Sequence, residues 1–175
     1  SLSPVLCSGS NSGTLNLTGS LGSILNWESS IDNGATGPNI NSTTTSENYL
    51  TITSTSLYRV LVKRGVCTSM YSDTITLTVD STTLGGVLNS PATVCAGSNS
   101  GTLTLSGKRG NILNWEFSTN GGTSWNNIIN NTANQNYTNL TITTLYRAQV
   151  QNGVCPPNYS DTLTINVDSG TIAGA

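Results

Sequence analysis

The chain has 175 residues, only 8% of them charged, with six Lys and Arg against eight Asp and Glu and a formal charge of −2. That balance lacks the basic stripe of a nucleic-acid binder, and no apolar run approaches the roughly 18 residues of a membrane-spanning helix. Histidine is absent, which excludes Ser-His-Asp and Cys-His nucleophile arrangements and removes the commonest metal ligand.

Cys7 is followed by Thr14-Leu15-Asn16-Leu17-Thr18, whose alternation predicts a strand with Leu15 and Leu17 inward. Ile24-Leu25-Asn26-Trp27-Glu28 predicts a second strand. On regular pleating Leu25 and Trp27 share its inner face and Asn26 and Glu28 its outer face. Asp32-Asn33-Gly34 is a turn signal, and Tyr49-Leu50-Thr51-Ile52-Thr53 predicts a further strand. Leu57 to Val62 is apolar on both faces, but the segment 88 residues later replaces Leu61 by Gln149 and keeps Tyr146, Ala148 and Val150. The Tyr58 face is therefore inside, and Arg59 and Leu61 point out. After Gly65-Val66-Cys67, Thr74 to Val79 is predicted to point Ile75, Leu77 and Val79 inward.

Every one of these features returns at an offset of 88. From Cys7 to Asp80, 39 of 74 positions match their counterparts without a gap. The chain is thus one domain written twice. We read residues 1–80 as the first repeat, its first strand partly missing. Residues 81–94 form a bridge plus the first strand of the second repeat, which continues over 95–175. In that bridge Gly85-Gly86 leaves about four to six residues near Ser81–Gly86 to flex. The frame of the chain, one residue short of two periods, predicts a slice of a longer periodic array.

Short alternating strands, turn signals and the absence of a helical period predict an all-β protein of two tandem β-sandwich domains. The order Cys…Trp…Cys, with a Tyr on the penultimate strand, points to the immunoglobulin-like kind. Two cysteines per repeat, 60 residues apart, predict intradomain disulfides Cys7–Cys67 and Cys95–Cys155 and an oxidising, exported location. In this topology the start of the first strand and the turn between the last two strands share one pole. Each bridge is therefore expected to clip the beginning of its domain to that turn.

The charged residues point to construction more than to chemistry. Six of the eight carboxylates are three pairs repeated at the 88 offset, and no enzyme activity or cofactor is expected. Glu28 with Arg59, and Glu116 with Arg147, lie on neighbouring strands facing outward, which predicts cross-strand salt bridges; an Arg gripping a ligand carboxylate is the alternative. Calcium at Asp32-Asn33 is a weaker reading, because the second repeat has Asn120-Gly121 there. A Lys–Asn isopeptide bond is excluded, because Lys63 and Lys108 have no Lys counterparts.

The run Val94-Cys95-Ala96-Gly97-Ser98-Asn99-Ser100-Gly101, with Asn114-Trp115-Glu116-Phe117-Ser118, Gly121-Gly122-Thr123-Ser124-Trp125, Leu145-Tyr146-Arg147-Ala148 and Asn152-Gly153-Val154-Cys155, resembles the immunoglobulin-like repeats of large secreted cell-surface adhesins and gliding-associated proteins of Bacteroidota. The resemblance implies an extracellular structural or adhesive module, acting as a disulfide-stapled spacer in a surface fibre. Its partners would be neighbouring repeats or like subunits, with no nucleic acid and no membrane insertion. The alternatives are a module binding surface glycans or proteins, using loops or the aromatic edge around Trp125, and a subunit of a non-covalent head-to-tail filament. The resemblance also implies O-glycosylation at Asp-Ser/Thr-apolar-type sites, namely Thr74, Ser81 and Thr162.

Overall fold

The computed structural model describes residues 4–89 and 93–169; Pro91 of the bridge lies outside them. The chain divides into two units, 1–81 and 82–175, and each is an all-β sandwich.

Unit 1 contains β1 (Val5–Cys7), β2 (Ser12–Asn16), β3 (Ser23–Ser30), β4 (Ser46–Leu50), β5 (Ser56–Lys63), β6 (Met70–Tyr71) and β7 (Ile75–Asp80). One sheet has the order β1-β7-β5-β3, with β6 on the edge of β5, and faces a two-stranded sheet of β2 and β4. Unit 2 contains β8 (Val87–Asn89), β9 (Thr93–Cys95), β10 (Ser100–Ser106), β11 (Asn111–Ser118), β12 (Asn126–Ile128), β13 (Asn134–Thr138), β14 (Thr144–Gln151), β15 (Asn158–Tyr159) and β16 (Leu163–Asp168). Its sheets are β12-β11-β14-β16-β9, with β15 on β14, and β13-β10-β8. The first strand of unit 2 is thus split, β8 pairing antiparallel with β10 and β9 parallel with β16.

Both cores form where the alternation places them. Leu15, Trp27, Val60 and Leu77 are buried in unit 1, and Leu103, Leu105, Trp115, Tyr146, Ala148, Val150 and Ile165 in unit 2. Each buried indole keeps its N–H satisfied, Trp27 donating to the Thr44 carbonyl (2.9 Å) and Trp115 to that of Thr132 (3.0 Å). An unpaired polar atom in a core costs about 1–3 kcal/mol, so this bond fixes how the ring can lie.

Leu25 departs from its expected face. The pairing of β3 with β5 steps from Ile24–Val62 to Asn26–Leu61, so Leu25 is the extra residue of a β-bulge, and Leu113 is its equivalent in β11. A bulge interrupts the two-residue alternation. Ile112 is therefore inside at 6% exposure, while Leu25 and Leu113 are 43% and 46% exposed.

The bridge also differs from its expected flexibility. Thr83 is buried, with its hydroxyl donating to the Pro156 carbonyl (2.8 Å) and accepting from the Asn152 N–H (3.1 Å). Leu84 and Arg109 exchange backbone hydrogen bonds. A Cβ on Gly85 would stand 1.8 Å from the Tyr159 carbonyl oxygen. Gly85 is thus required by a close backbone approach, and the pair Gly85-Gly86 marks tight docking onto unit 2 instead of a hinge.

Candidate functional site

On the outer face of the larger sheet, Glu28 of β3 pairs across to Arg59 of β5. The Arg59 Nε and Nη2 atoms both lie 2.8 Å from Glu28 Oε2. Tyr71 of β6 donates its hydroxyl to Glu28 Oε1 (2.9 Å), and its ring lies 3.8 Å under the Arg59 guanidinium. Burial opposes ionisation of Glu28, but hydrogen bonds from Arg59, Tyr71 and Asn26, with the Arg59 charge, outweigh it and hold the carboxyl below its ordinary value. The hydrogen bond to Glu28 in turn holds the Tyr71 phenol above its ordinary value.

Unit 2 repeats this arrangement and adds to it. Arg147 Nη2 and Nε both lie 2.7 Å from Glu116 Oε2. The guanidinium is sandwiched between Tyr159 (3.8 Å) and Trp125 (4.0 Å). Eighty-eight residues earlier, Gly37 stands at the position of Trp125, and the Arg59 side chain is 40% exposed against 23% for Arg147. The space left beside Arg59 is a recess of about 40 Å³, lined by Glu28, Ser30, Thr36, Gly37 and Tyr58 among others. The aromatic lids Tyr71, Tyr159 and Trp125 were not anticipated as partners of the arginines. The recurrence of Tyr71 at Tyr159 was the available signal.

Asp32 closes its turn with its own side chain, accepting from the Ser30 hydroxyl (2.6 Å) and from the Thr36 backbone N–H and hydroxyl. Those bonds hold its carboxyl down to about 2. Asn120 does the same work in unit 2 with Ser118 and Ser124, so the turn depends on a hydrogen-bonding side chain and not on a charge. Among the described residues no cluster of three or more metal-ligating side chains converges.

The expected disulfides Cys7–Cys67 and Cys95–Cys155 do not form. Cys67 and Cys95 are free and exposed, whereas Cys7 and Cys155 are disulfide-bonded. The reason is the direction of β1, which runs parallel to β7 in the register Val5–Thr78 to Cys7–Asp80. Cys7 therefore sits where β7 ends, near Ile52, whose carbonyl shares the Asn11 amide with that of Cys7. Cys67 lies in the turn beyond the far end of β5. At strand rise, the eight residues of β5 separate these poles by about 23 Å, and a disulfide spans at most about 7 Å between Cα atoms. The same holds for Cys95, paired with Asp168, and Cys155. It is the end of the first strand, not its start, that carries the cysteine. Thr74, Ser81 and Thr162 are all exposed.

The paired sheets, the buried Trp on β3 and β11, and the Tyr on β5 and β14 define two tandem immunoglobulin-like domains. The chain belongs to the family described as "Domain of unknown function (DUF8696)", which matches residues 1–81 and 84–169, once for each unit. No curated protein matches the sequence. Among solved structures, a marsupial T cell receptor aligns with a TM-score of 0.60 at 13% identity, over 93% of this chain and 70% of that one. A structure of mouse coronavirus receptor-binding domain complexed with its murine receptor aligns at 0.53 and 15% identity, over 94% and 96%. Domains A168–A170 of titin align at 0.53 and 16% identity, over 95% and 62%. At these identities the likeness defines the fold.

Proposed function

We propose that this chain is a structural module of an extracellular surface fibre or large adhesin, serving as a spacer. The observation that carries the reading is the use made of its few charges. Glu28, Arg59 and Tyr71, and again Glu116, Arg147 and Tyr159, are engaged with one another on the outer face. A residue set that recurs in each repeat and is satisfied internally serves the construction of the domain. Repeats of this kind convert sequence length into reach.

A glycan- or protein-binding role is the second reading. Its support is the asymmetry between units at 35–38, where Arg59 is more open than Arg147. The commitment of Trp125 to Arg147 weighs against it. The titin and receptor likenesses accord with either role. Immunogold labelling of intact, unpermeabilised producing cells with an antibody against this chain tests the spacer reading. Label along surface structures is the expected result; label only in the cytoplasm of sectioned cells would overturn it.

A further inference from the structure

The arginine on the outer face is enclosed in one unit and open in the other. In unit 2 the Arg147 guanidinium has a ring on each side, Tyr159 at 3.8 Å and Trp125 at 4.0 Å. In unit 1 the Arg59 guanidinium has Tyr71 on one side at 3.8 Å, and Gly37 takes the position of Trp125. The seat that the indole occupies in unit 2 nevertheless persists in unit 1. A Cβ on Gly122 would meet Trp125 Cζ2 at 3.6 Å and Leu145 Cδ2 at 3.9 Å, so the ring reaches the surface formed by Gly122 and Leu145. Their counterparts 88 residues earlier are Gly34 and Leu57, and both line the recess beside Arg59. Gly34 and Gly122 have φ of 88° and 87°, so the turn at the seat keeps its course. What unit 1 lacks is the ring.

The chemistry of the open seat selects among ligands. Arg59 already donates from Nε and Nη2 to Glu28 Oε2, so its charge is paired and an incoming carboxylate would face that of Glu28. A flat neutral ring meets no such opposition. Arg147 shows this, holding Glu116 through Nε and Nη2 while Trp125 covers its plane. Guanidinium planes are attracted to aromatic faces, and to indole most strongly. Sugars stack their C–H groups on aromatic rings, but the surface offered here is a guanidinium, and the Tyr71 face beneath it is taken. A nucleobase is flat, but its phosphates would meet a chain of formal charge −2. A second copy does not supply the ring, because the aromatic side chains of this chain lie in its cores or on its two arginines. Ile31, next to Ser30 of the recess, is 75% exposed where unit 2 has Thr119, and it offers an apolar contact to a protein surface.

We propose that the recess beside Arg59 binds an exposed aromatic side chain, tryptophan above all, of a partner protein of different sequence. The partner's indole takes the place that Trp125 holds in unit 2 and completes the stack on Arg59, against Gly34 and Leu57. Gly37 keeps this site open, and Trp125 closes its counterpart. The site deepens the protein-binding reading, on which it rests, and stands apart from the spacer reading.

The test uses the full chain, isotope-labelled for nuclear magnetic resonance, with N-acetyltryptophanamide as a neutral indole probe. A saturable ring-current shift in the millimolar range is expected at the Arg59 Nε–H and the Gly34 amide, with none at the Arg147 Nε–H. Gly37 is outside the left-handed region, and the nearest atoms that a Cβ there would meet are side-chain atoms, Glu28 Oε2 at 3.2 Å and Arg59 Nη2 at 3.7 Å. Gly37→Trp can therefore fill the seat, and it should abolish the shift. Trp125→Gly should confer a response on Arg147; if that variant fails to fold, Gly37→Trp decides alone. A shift that persists in Gly37→Trp would overturn the proposal. Saturation by acetate, methyl glucoside or N-acetylleucinamide in place of the indole would overturn it while leaving a binding role standing, and no saturable response to any probe would overturn both. Surface labelling by the antibody reads location alone, so the spacer reading stands or falls separately.

Discussion

Replacing Ile112 and Leu113 with Ala, one at a time, tests the bulge in β11 directly. Ile112 is 6% exposed and packs in the unit 2 core, whereas Leu113 is 46% exposed. Ile112→Ala removes three carbons, about 2.4 kcal/mol at about 0.8 per methylene. The cavity left behind brings the cost to about 3 kcal/mol, within the range of about 2–5 for such changes. Leu113→Ala loses the same carbons from a side chain already half in water, so about 1 kcal/mol is expected. A domain of this size has a total stability of roughly 4–13 kcal/mol, which makes the difference easy to resolve. Urea unfolding of the full chain, followed by Trp fluorescence, should show a midpoint shift about three times larger for Ile112→Ala. Equal shifts, or a larger one for Leu113→Ala, would mean that regular pleating holds and that the bulge is wrongly placed.

Trp115→Ala should cost about 3–5 kcal/mol, read as loss of the cooperative unit 2 transition in calorimetry. Thr51 has φ 52° where Asn139 has the same angle in unit 2. A β-branched residue is strained there, so Thr51→Asn should raise the unit 1 melting temperature by a few degrees, about 1 kcal/mol or less. Arg147→Lys, which removes a guanidinium held between two rings, should cost about 1–2 kcal/mol, and Arg59→Lys, with one ring, less; double-mutant cycles with Tyr159 and Tyr71 would measure each. Because the folded Glu28 carboxyl titrates below its ordinary value of 4.5, its contribution is present above pH 4.5 and lost as pH falls through the folded value. Thermal melts of Glu28→Gln between pH 7 and 3 should therefore show a shallower acid slope than the parent.

The sandwich was legible because its signals are local and occur twice. Gln149 in place of Leu61 identified the outer face of a strand that is apolar on both sides. The bulge was not legible, because Leu25 and Leu113 are both apolar and both copies carry the same residue, so no substitution marks the face. The cysteines were misplaced for a different reason. The spacing of 60 residues is blind to strand direction, and the parallel run of β1 along β7 sends Cys7 to the far pole. Gly85-Gly86 shows how one composition supports opposite inferences. Glycine is required by a flexible joint and equally by a backbone pressed against another, and only the Tyr159 carbonyl distinguishes the two.

The two-stranded sheet of β2 and β4 has a consequence for amide exchange. In unit 2, β10 is bonded on both sides, to β13 and to β8, so its amides open only when that three-stranded sheet does. In unit 1, among the described residues, β2 is held by β4, and a ribbon of two strands is marginal by itself. Deuterium should therefore enter Ser12–Asn16 well before Ser100–Ser106. The two copies of one sequence pattern would then report different opening free energies, with the β2–β4 ribbon as the site where unit 1 first opens to solvent and to proteases.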